Sequence, residues 1–248
     1  MIIGRIANAL KRQDWSTFLV EILIVVIGIL IGLQVDDWVT ARQDRQDERQ
    51  FLERLHADIL QADEQNARLR DRRLGSAGAI MTAIEVLYGE SGRDELTNTE
   101  CIALANSNVF NINVPSLPAF DELIGVGRLD ILSDRQLRSA LVQLEQARTA
   151  LSTLLVIQSS QAAFAFLPGE FPELLRMGNY VDESGEVRIQ VTCDLEGIRN
   201  NQEFLNKWAL NADGYDAYVR DGLAPWVAQF ERVHRLVDAT LGISHDKS

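Results

Sequence analysis

Hydrophobic residues are concentrated in one run near the N-terminus. Residues 18–35 include fourteen Leu, Ile, Val or Phe side chains, and Glu21 is the only ionisable residue among them. A helix of this length covers roughly 27 Å, close to the hydrocarbon thickness of a bilayer. Fourteen apolar residues at about −0.3 to −0.6 kcal/mol each outweigh one carboxyl group that costs about 3 kcal/mol at the bilayer centre. The pattern therefore predicts a transmembrane helix over residues 18–35.

Beyond this run the pattern becomes that of an amphipathic helix. Residues 36–73 are highly charged and contain neither Gly nor Pro. Apolar residues recur at three- and four-residue spacing, at Leu52, Leu55, Ile59, Ala62 and Leu69. We expect a stalk helix over residues 36–74 that continues from the membrane helix and ends at Gly75. The stripe is short and includes Asn66, so packing against the rest of the chain is favoured over a long coiled coil.

Residues 75–243 predict a helical domain that packs on the stalk, followed by a tail over residues 244–248. We expect a short helix at 77–88, a longer one from Ser133 or Asp134 to about Phe166 with a deeply buried end, and a short helix at 170–177. Alternation at 187–191 predicts a strand that pairs near Tyr180 as a hairpin. The closing segment has aromatic and apolar residues at helical spacing, which we expect to form core: Phe204, Trp208, Tyr215, Tyr218, Trp226, Phe230, Val233, Val237 and Leu241. Gly214, Gly222 and Pro225 are expected to split or kink this helical segment. The predicted fold class is all-α: one transmembrane helix leading into an antiparallel helical bundle with a small β-hairpin insert.

Charge and cysteine content narrow the choice of partners and compartment. The net charge of −12 argues against nucleic-acid binding, because phosphate contacts need a basic surface. Cys101 and Cys193 form one disulfide if the domain lies in an oxidising compartment, or two buried thiols if it does not.

The flanking charges give little guidance on orientation. Three basic residues precede the apolar run and three follow it closely. The positive-inside rule places the side with more Lys and Arg in the cytoplasm, and the equal counts here favour neither orientation. A short basic tail over residues 1–17 before one apolar run and a long domain is the usual signal-anchor arrangement, which we expect to place the N-terminus in the cytoplasm. Small residues of an A-x-A cleavage site are missing, so we expect the helix to be retained.

Several residues of the apolar run are candidates for contacts within the membrane. Gly28 and Gly32 have the small-x-x-x-small spacing that lets two helices approach closely, and Trp38 fits an interfacial anchor. Glu21 is either a carboxyl group at the headgroup boundary or an embedded acid that pairs with a partner's basic group. The predicted partners are the lipid bilayer and a second copy or another membrane protein.

Two families resemble the N-terminal stretch. Glu21 and the apolar residues after it resemble a type IV pilin N-terminus whose first mature residue would be Thr17, although Ser16 stands where that family has Gly. The pattern from Glu21 through residues 25–31, Leu33-Gln34-Val35 and Asp36-Asp37-Trp38 resembles a family of uncharacterised bacterial single-span membrane proteins. Further similarity to that family lies at 120–123, 127–129, Leu132 and 137–138. The resemblance implies the architecture of a bacterial single-span membrane protein and no activity. With the expected signal-anchor orientation, we expect a bacterial inner (plasma) membrane location and a periplasmic C-terminal domain.

Motifs for catalysis are missing from the sequence. His56, His234 and His245 form no H-E-x-x-H motif, the cysteines form no C-x-x-C motif, and neither G-x-S-x-G nor a P-loop occurs. The sequence therefore predicts no cofactor and no metal, and His56 is expected to be a solvated stalk residue. We expect a non-enzymatic, membrane-anchored interaction or sensory module whose helical domain binds a protein partner or small ligand. The alternatives are a pilin-like structural subunit and, third, an enzyme, which would show clustered acidic residues in a cleft.

Overall fold

The computed structural model describes residues 15–89, 91–110, 114–160 and 164–244, with the backbone alone for residues 15–21 and 158–160. The predicted tail over residues 244–248 lies outside this part except for its first residue, and most of the basic tail over residues 1–17 also lies outside it. The chain is mostly helical, at 74%, with one small two-stranded antiparallel sheet. The prediction of a mainly helical chain with a long apolar N-terminal helix and a hairpin is confirmed at this level.

The first helix, α1, spans Trp15–Leu87 and has 73 residues. It passes through Gly75, so the predicted stop at that residue and the separate helix at 77–88 are wrong. A single Gly inside a helix costs only about 1 kcal/mol relative to Ala, which the neighbouring turns can offset. The helix ends before Gly89, where a φ of 81° requires a left-handed conformation that Gly adopts without strain.

Contacts along the chain define two compact units, one ending at Phe51 and the other beginning at Leu52. The second unit contains the remainder of α1 and the other elements. These are α2 (Asn98–Ala105), α3 (Pro118–Gly125), a 3₁₀ turn (Leu129–Ile131), α4 (Arg135–Ser160), α5 (Leu167–Glu170), β1 (Leu175–Val181), β2 (Val187–Cys193), α6 (Leu195–Arg199), α7 (Gln202–Ala217), a π-helical segment (Tyr218–Leu223) and α8 (Ala224–Leu241).

The two apolar stripes seen in the sequence form much of the core of this second unit. Four residues of the stalk stripe are almost fully buried; they are Leu52, Leu55, Ile59 and Ala62. Eight of the nine residues in the closing segment are also buried; they are Phe204, Trp208, Tyr215, Tyr218, Trp226, Phe230, Val233 and Val237. The prediction that the aromatic stripe is core is confirmed.

The closing segment is interrupted by π-helical geometry at Tyr218–Leu223. Within it Gly222 approaches α4 closely: a Cβ on that residue would lie 2.9 Å from Leu154 Cδ1 and 3.1 Å from Leu151 Cδ1. The predicted split or kink therefore takes the form of a wider helical turn packed against α4, and the backbone stays helical on both sides of it.

The end of α4 differs from the prediction. Val156 and Ile157 are 68% and 45% exposed, and Phe166 beyond the helix is 52% exposed, so this end is not deeply buried. A helix segment that is apolar on all faces needs neighbours on all faces to be buried. In the second unit the covered face of α4 includes Leu151, which has no exposed surface.

The hairpin is present as predicted, with Tyr180 opposite Arg188 and Val181 opposite Val187. Its first strand begins at Leu175, so the predicted helix at 170–177 is wrong beyond Glu170. The turn uses Gly185 at a φ of 83°. Asp182 closes the turn, because its carboxylate accepts hydrogen bonds from the backbone amides of Ser184 and Glu186.

A buried amide holds three segments of the domain together. Asn211 on α7 has no exposed surface. Its Nδ2 donates to Ser107 Oγ and to the Ala165 carbonyl oxygen, each at 2.9 Å, and its Oδ1 accepts from the Ala165 amide at 3.0 Å. These bonds satisfy the side-chain amide, which is what a buried polar group needs to avoid a large desolvation cost.

Candidate functional site

The described part of the first unit presents apolar side chains on every face of α1. The large apolar residues between Ile22 and Val35 are each 44–63% exposed, and each position from 22 to 46 is classed as exposed. Among the described residues, α1 is the one helix that is long and apolar enough to cross a membrane. By length and composition alone, such a helix could also be a signal sequence.

The predicted membrane-contact residues lie in this exposed stretch. Added Cβ atoms at Gly28 and Gly32 would meet no atom within 4 Å, so both positions are open to a neighbouring helix. Trp38 carries the Arg42 guanidinium 5.8 Å from its ring centroid, within range of a cation–π contact. Gln34 is also exposed, and the side chain of Glu21 lies outside the described residues.

A disulfide between Cys101 and Cys193 joins α2 to the end of β2. The two Cα atoms are 5.8 Å apart, a separation typical of disulfides. Asn98 adds a second link, because its Oδ1 accepts a hydrogen bond from the Val191 amide at 3.0 Å. Val191 also packs with Cys101 and Ala105 in a small buried cluster. The base of the hairpin is therefore held to α2 by a covalent bond, a hydrogen bond and apolar packing.

The outer part of the hairpin exposes an apolar surface. Alternation along paired strands places Met177, Val181, Val187 and Ile189 on one face, which we call the hairpin face. These side chains are 45%, 66%, 71% and 46% exposed. The turn beyond them is well ordered by hydrogen bonding: Asp182 accepts bonds from Ser184 and Arg188, and these bonds hold the pKa of its carboxyl group far below the usual range.

A shallow groove of about 540 Å³ lies between residues 114–116 and α4. Its charged groups compensate one another, because Arg148 lies 2.7 Å from both Asp121 and Glu145. The exposed apolar residues at the end of α4, Val156 and Ile157, also line it.

A second polar group lies between α1 and α8, within the second unit. Asp238 Oδ1 lies 3.1 Å from His56 Nε2, and Asp238 Oδ2 lies 3.5 Å from His234 Nε2. The side chains are 14% (His56), 23% (His234) and 14% (Asp238) exposed. His56 is therefore not the solvated residue that the sequence predicted. The two imidazole rings are 5.7 Å apart between centroids.

Each residue of this cluster reaches it from a regular helix. His234 and Asp238 are four positions apart on α8, so their side chains lie on the same face. His56 comes from the stalk helix, beside the buried residue Leu55. Each residue offers a nitrogen or oxygen ligand atom, and these atoms lie within 4.8 Å of one another. The cluster is therefore a set of metal-type donors, although the sequence indicated none.

One part of this cluster could have been found in the sequence. Two ligand residues at i and i+4 on an amphipathic helix is a recurring arrangement in metal sites, and His234 with Asp238 has that spacing. His56 could not have been added, because its position opposite α8 depends on how two distant helices pack.

Two acidic residues that follow β2 have structural hydrogen bonds. Asp194 caps α6 by accepting a hydrogen bond from the Gly197 amide at 2.9 Å. Glu203 accepts one from Lys207 at 3.0 Å.

No family model matches this chain, no curated protein matches it, and no solved structure matches it.

Proposed function

We propose that this protein is a single-span protein of the bacterial inner membrane, belonging to the single-span family that its N-terminus resembles. In this proposal α1 anchors a periplasmic helical bundle, and the domain acts as a non-enzymatic interaction or sensory module that binds a protein partner or a small ligand. The observation that carries the proposal is the exposure of apolar side chains on all faces of α1 between Ile22 and Val35.

This exposure is best explained by a lipid environment. An apolar surface on a soluble protein rarely exceeds a few hundred Å², and a larger one marks a contact with membrane or protein. In water, each large side chain left exposed forgoes roughly 1.5–3 kcal/mol of burial free energy. In a bilayer the same side chains face hydrocarbon, and the helix satisfies its own backbone hydrogen bonds.

The disulfide supports placing the domain outside the cytoplasm. Disulfides persist in the periplasm and are reduced in most cytoplasms. Because Cys101 and Cys193 belong to the second unit, that unit fits the oxidising side of the membrane. The N-terminal tail then lies in the cytoplasm, as in a signal-anchor protein.

The hairpin face supports an interaction role. Met177, Val181, Val187 and Ile189 are exposed on a hairpin that is fixed at its base by the disulfide and at its tip by Asp182. A rigid apolar surface loses little conformational entropy when it binds, which favours association with a partner protein.

Membrane fractionation with thiol labelling tests the anchor and its orientation. We expect the full-length chain to sediment with membranes, to resist extraction at high pH, and to be labelled only after reduction by an impermeant maleimide added from the periplasmic side. A matched variant with Cys101→Ser and Cys193→Ser should show no labelling. Protein in the soluble fraction contradicts the anchor, and labelling only from the cytoplasmic side contradicts the orientation.

Site-specific photo-crosslinking tests the interaction role. A photoreactive amino acid in place of Val187 should give a discrete adduct in cells, and Ile189→Lys in the same chain should abolish it. The control position is Met81 on α1, which is 53% exposed and lies in the same unit. Equal adducts at both positions, or none at either, contradict a partner at the hairpin face.

Helix association in the membrane is tested separately. We expect Gly28→Leu to reduce the native complex size in mild detergent, because a bulky side chain prevents close approach of two helices. Glu21→Gln should do the same if the acid pairs within the membrane. An unchanged size for both variants excludes these residues from the interface.

The pilin-like subunit remains the alternative. It predicts processing before Thr17, so the intact mass of the membrane form separates the two. A full-length mass excludes the pilin alternative, and a mass beginning at Thr17 contradicts an unprocessed anchor.

A further inference from the structure

We propose that His56, His234 and Asp238 bind one divalent transition-metal ion, with Zn²⁺ as the first candidate. The inference goes beyond membrane anchoring and partner binding, and it does not depend on either. It rests on two imidazole nitrogens and one carboxylate, carried by two helices of the second unit, whose ligand atoms lie within 4.8 Å of one another.

The distances between the donor atoms fit a shared ion. Zinc lies about 2.0–2.2 Å from nitrogen and oxygen ligands. Two such ligands in tetrahedral geometry are therefore separated by roughly 3.4 Å, and by about 3.0 Å at adjacent octahedral positions. The observed separations from the Asp238 carboxylate are 3.1 Å to His56 Nε2 and 3.5 Å to His234 Nε2. The two distances run to different oxygens of one carboxylate, Oδ1 for His56 and Oδ2 for His234, and all three ligand atoms lie within 4.8 Å of one another.

The surrounding residues hold the donors in place. His56 directly follows Leu55 and lies three residues before Ile59, while His234 directly follows Val233 and lies three residues before Val237 on α8. Leu55, Ile59, Val233 and Val237 are fully buried. Apolar packing on each side fixes the two helix faces, and an apolar shell strengthens metal–ligand electrostatics by limiting access of water.

The chemistry of the donor set selects the class of ion. Imidazole suits Zn²⁺, Cu²⁺, Fe²⁺ and Ni²⁺, whereas Ca²⁺ and Mg²⁺ prefer sites made of oxygen ligands. Two histidines and one carboxylate is a set found in zinc and non-haem iron proteins. Three protein ligands leave at least one coordination position, which water or a group of a small ligand can occupy.

A hydrogen-bonded cluster without metal is the competing explanation. Each oxygen of Asp238 faces one imidazole Nε2, an arrangement that a carboxylate can hold by hydrogen bonding as well as by sharing a metal ion. Metal coordination adds what hydrogen bonding does not supply, a third group that binds both imidazole nitrogens and the carboxylate at once. The two explanations differ in stoichiometric metal uptake, which can be measured.

Titration of the full-length, detergent-solubilised protein with Co²⁺ tests the proposal. After chelator treatment and dialysis, we expect about one Co²⁺ per chain, visible absorption typical of low coordination number, and displacement by Zn²⁺. Asp238→Asn keeps the side-chain shape and removes the anionic ligand, and His234→Gln removes an imidazole. Each substitution should weaken Co²⁺ affinity by about 100-fold or more. Removing a hydrogen-bond partner of a metal ligand already costs about 10- to 100-fold, and these substitutions remove a ligand itself.

Two controls distinguish this site from other donors. Asp216→Asn changes an exposed carboxylate that pairs with Arg220, and His245→Gln changes the third histidine of the chain. Both should bind Co²⁺ as the unmodified protein does. No Co²⁺ uptake by the unmodified protein, unchanged affinity in Asp238→Asn and His234→Gln, or loss of binding in His245→Gln would each overturn the proposal.

X-ray absorption of the zinc-loaded, unmodified protein keeps the proposal testable if the variants do not fold. We expect two imidazole ligands and further oxygen ligands in the first coordination shell. A shell without imidazole contradicts the site. The metal measurements and the membrane fractionation test separate proposals. Absence of metal binding would not contradict the membrane anchor, and recovery of the protein in the soluble fraction would not contradict the metal site.

Discussion

Glu100 on α2 is a carboxylate with an unusually complete set of partners. Its side chain is only 6% exposed. Arg93 donates to both of its oxygens, at 2.7 and 2.8 Å, and the backbone amide of Thr97 donates to Oε2 at 2.7 Å. Thr97 Oγ1 in turn accepts from the Glu100 amide, which completes a capping box. Chiefly through the Arg93 hydrogen bonds, the pKa of Glu100 is lowered to about 2.

We predict that Glu100→Gln destabilises the domain by about 1–3 kcal/mol at neutral pH, because the charge-assisted bonds to Arg93 are lost. The pKa of Glu100 is lower in the folded state than its usual value of 4.5. Its contribution is therefore complete above about pH 4.5 and is lost as the pH falls towards about 2. Urea unfolding of both proteins from pH 7 to pH 2 checks this. Glu95→Gln, in the same loop and exposed, should match the unmodified protein, and a constant difference across the pH range would contradict the linkage.

Glycines in the helices illustrate how element packing decides the effect of one residue type. Gly75 in α1 would place a Cβ in open space, with no atom within 4 Å. Gly222 in the π-helical segment would place one 2.9 Å from Leu154 and 3.1 Å from Leu151. Gly75 lowers the stability of α1 and makes no packing contact that requires a glycine. Gly222 allows the π-helical segment to lie close against α4.

We predict opposite effects for the two alanine substitutions. Gly75→Ala should stabilise by about 0.5–1 kcal/mol, because Ala loses less conformational entropy in a helix. Gly222→Ala should destabilise by about 1–3 kcal/mol, because the added methyl group overpacks the contact with α4. Thermal unfolding of the two variants and a Gly78→Ala control, which is also open, provides the measurement. A gain in stability from Gly222→Ala would contradict this prediction, because it would mean that Leu151 and Leu154 on α4 move aside for the methyl group with little loss of free energy.

For the molecule as a whole, the disulfide is the longest-range covalent constraint among the described residues. It joins positions separated by 92 residues, and so closes a loop that includes α3, α4, α5 and the hairpin. A cross-link over a loop of this length stabilises chiefly by reducing the entropy of the unfolded chain, and typical gains are about 2–4 kcal/mol.

We predict that reduction lowers the free energy of unfolding of the second unit by about 2–4 kcal/mol. The midpoint of urea unfolding, followed by helical circular dichroism with and without reductant, measures this loss. The double variant Cys101→Ser and Cys193→Ser should match the reduced protein and should not respond to reductant. Detection of two free thiols in the denatured, unreduced protein would contradict the presence of the disulfide. An unchanged unfolding midpoint on reduction would contradict its contribution to stability.

The sequence by itself determined the features that depend on local pattern. The apolar run, the stalk stripe, the aromatic stripe of α7 and α8, and the hairpin near Tyr180 were predicted, because the period of apolar residues sets which face avoids water. Local pattern was misleading at Gly75, where tolerance of one glycine depends on the turns around it. It was also misleading at Val156, where burial depends on whether a neighbour covers each face.

Tertiary structure decided which distant residues meet. His56 meets His234 and Asp238, and Asn211 meets Ser107 and Ala165, only because particular helices cross at particular points. Periodicity specifies the face that a residue occupies on its own helix, but it carries no information about the rotation and height at which two helices pack. A site assembled from several helices is therefore decided by the packing of the whole domain, where the contact free energies of all its elements are balanced.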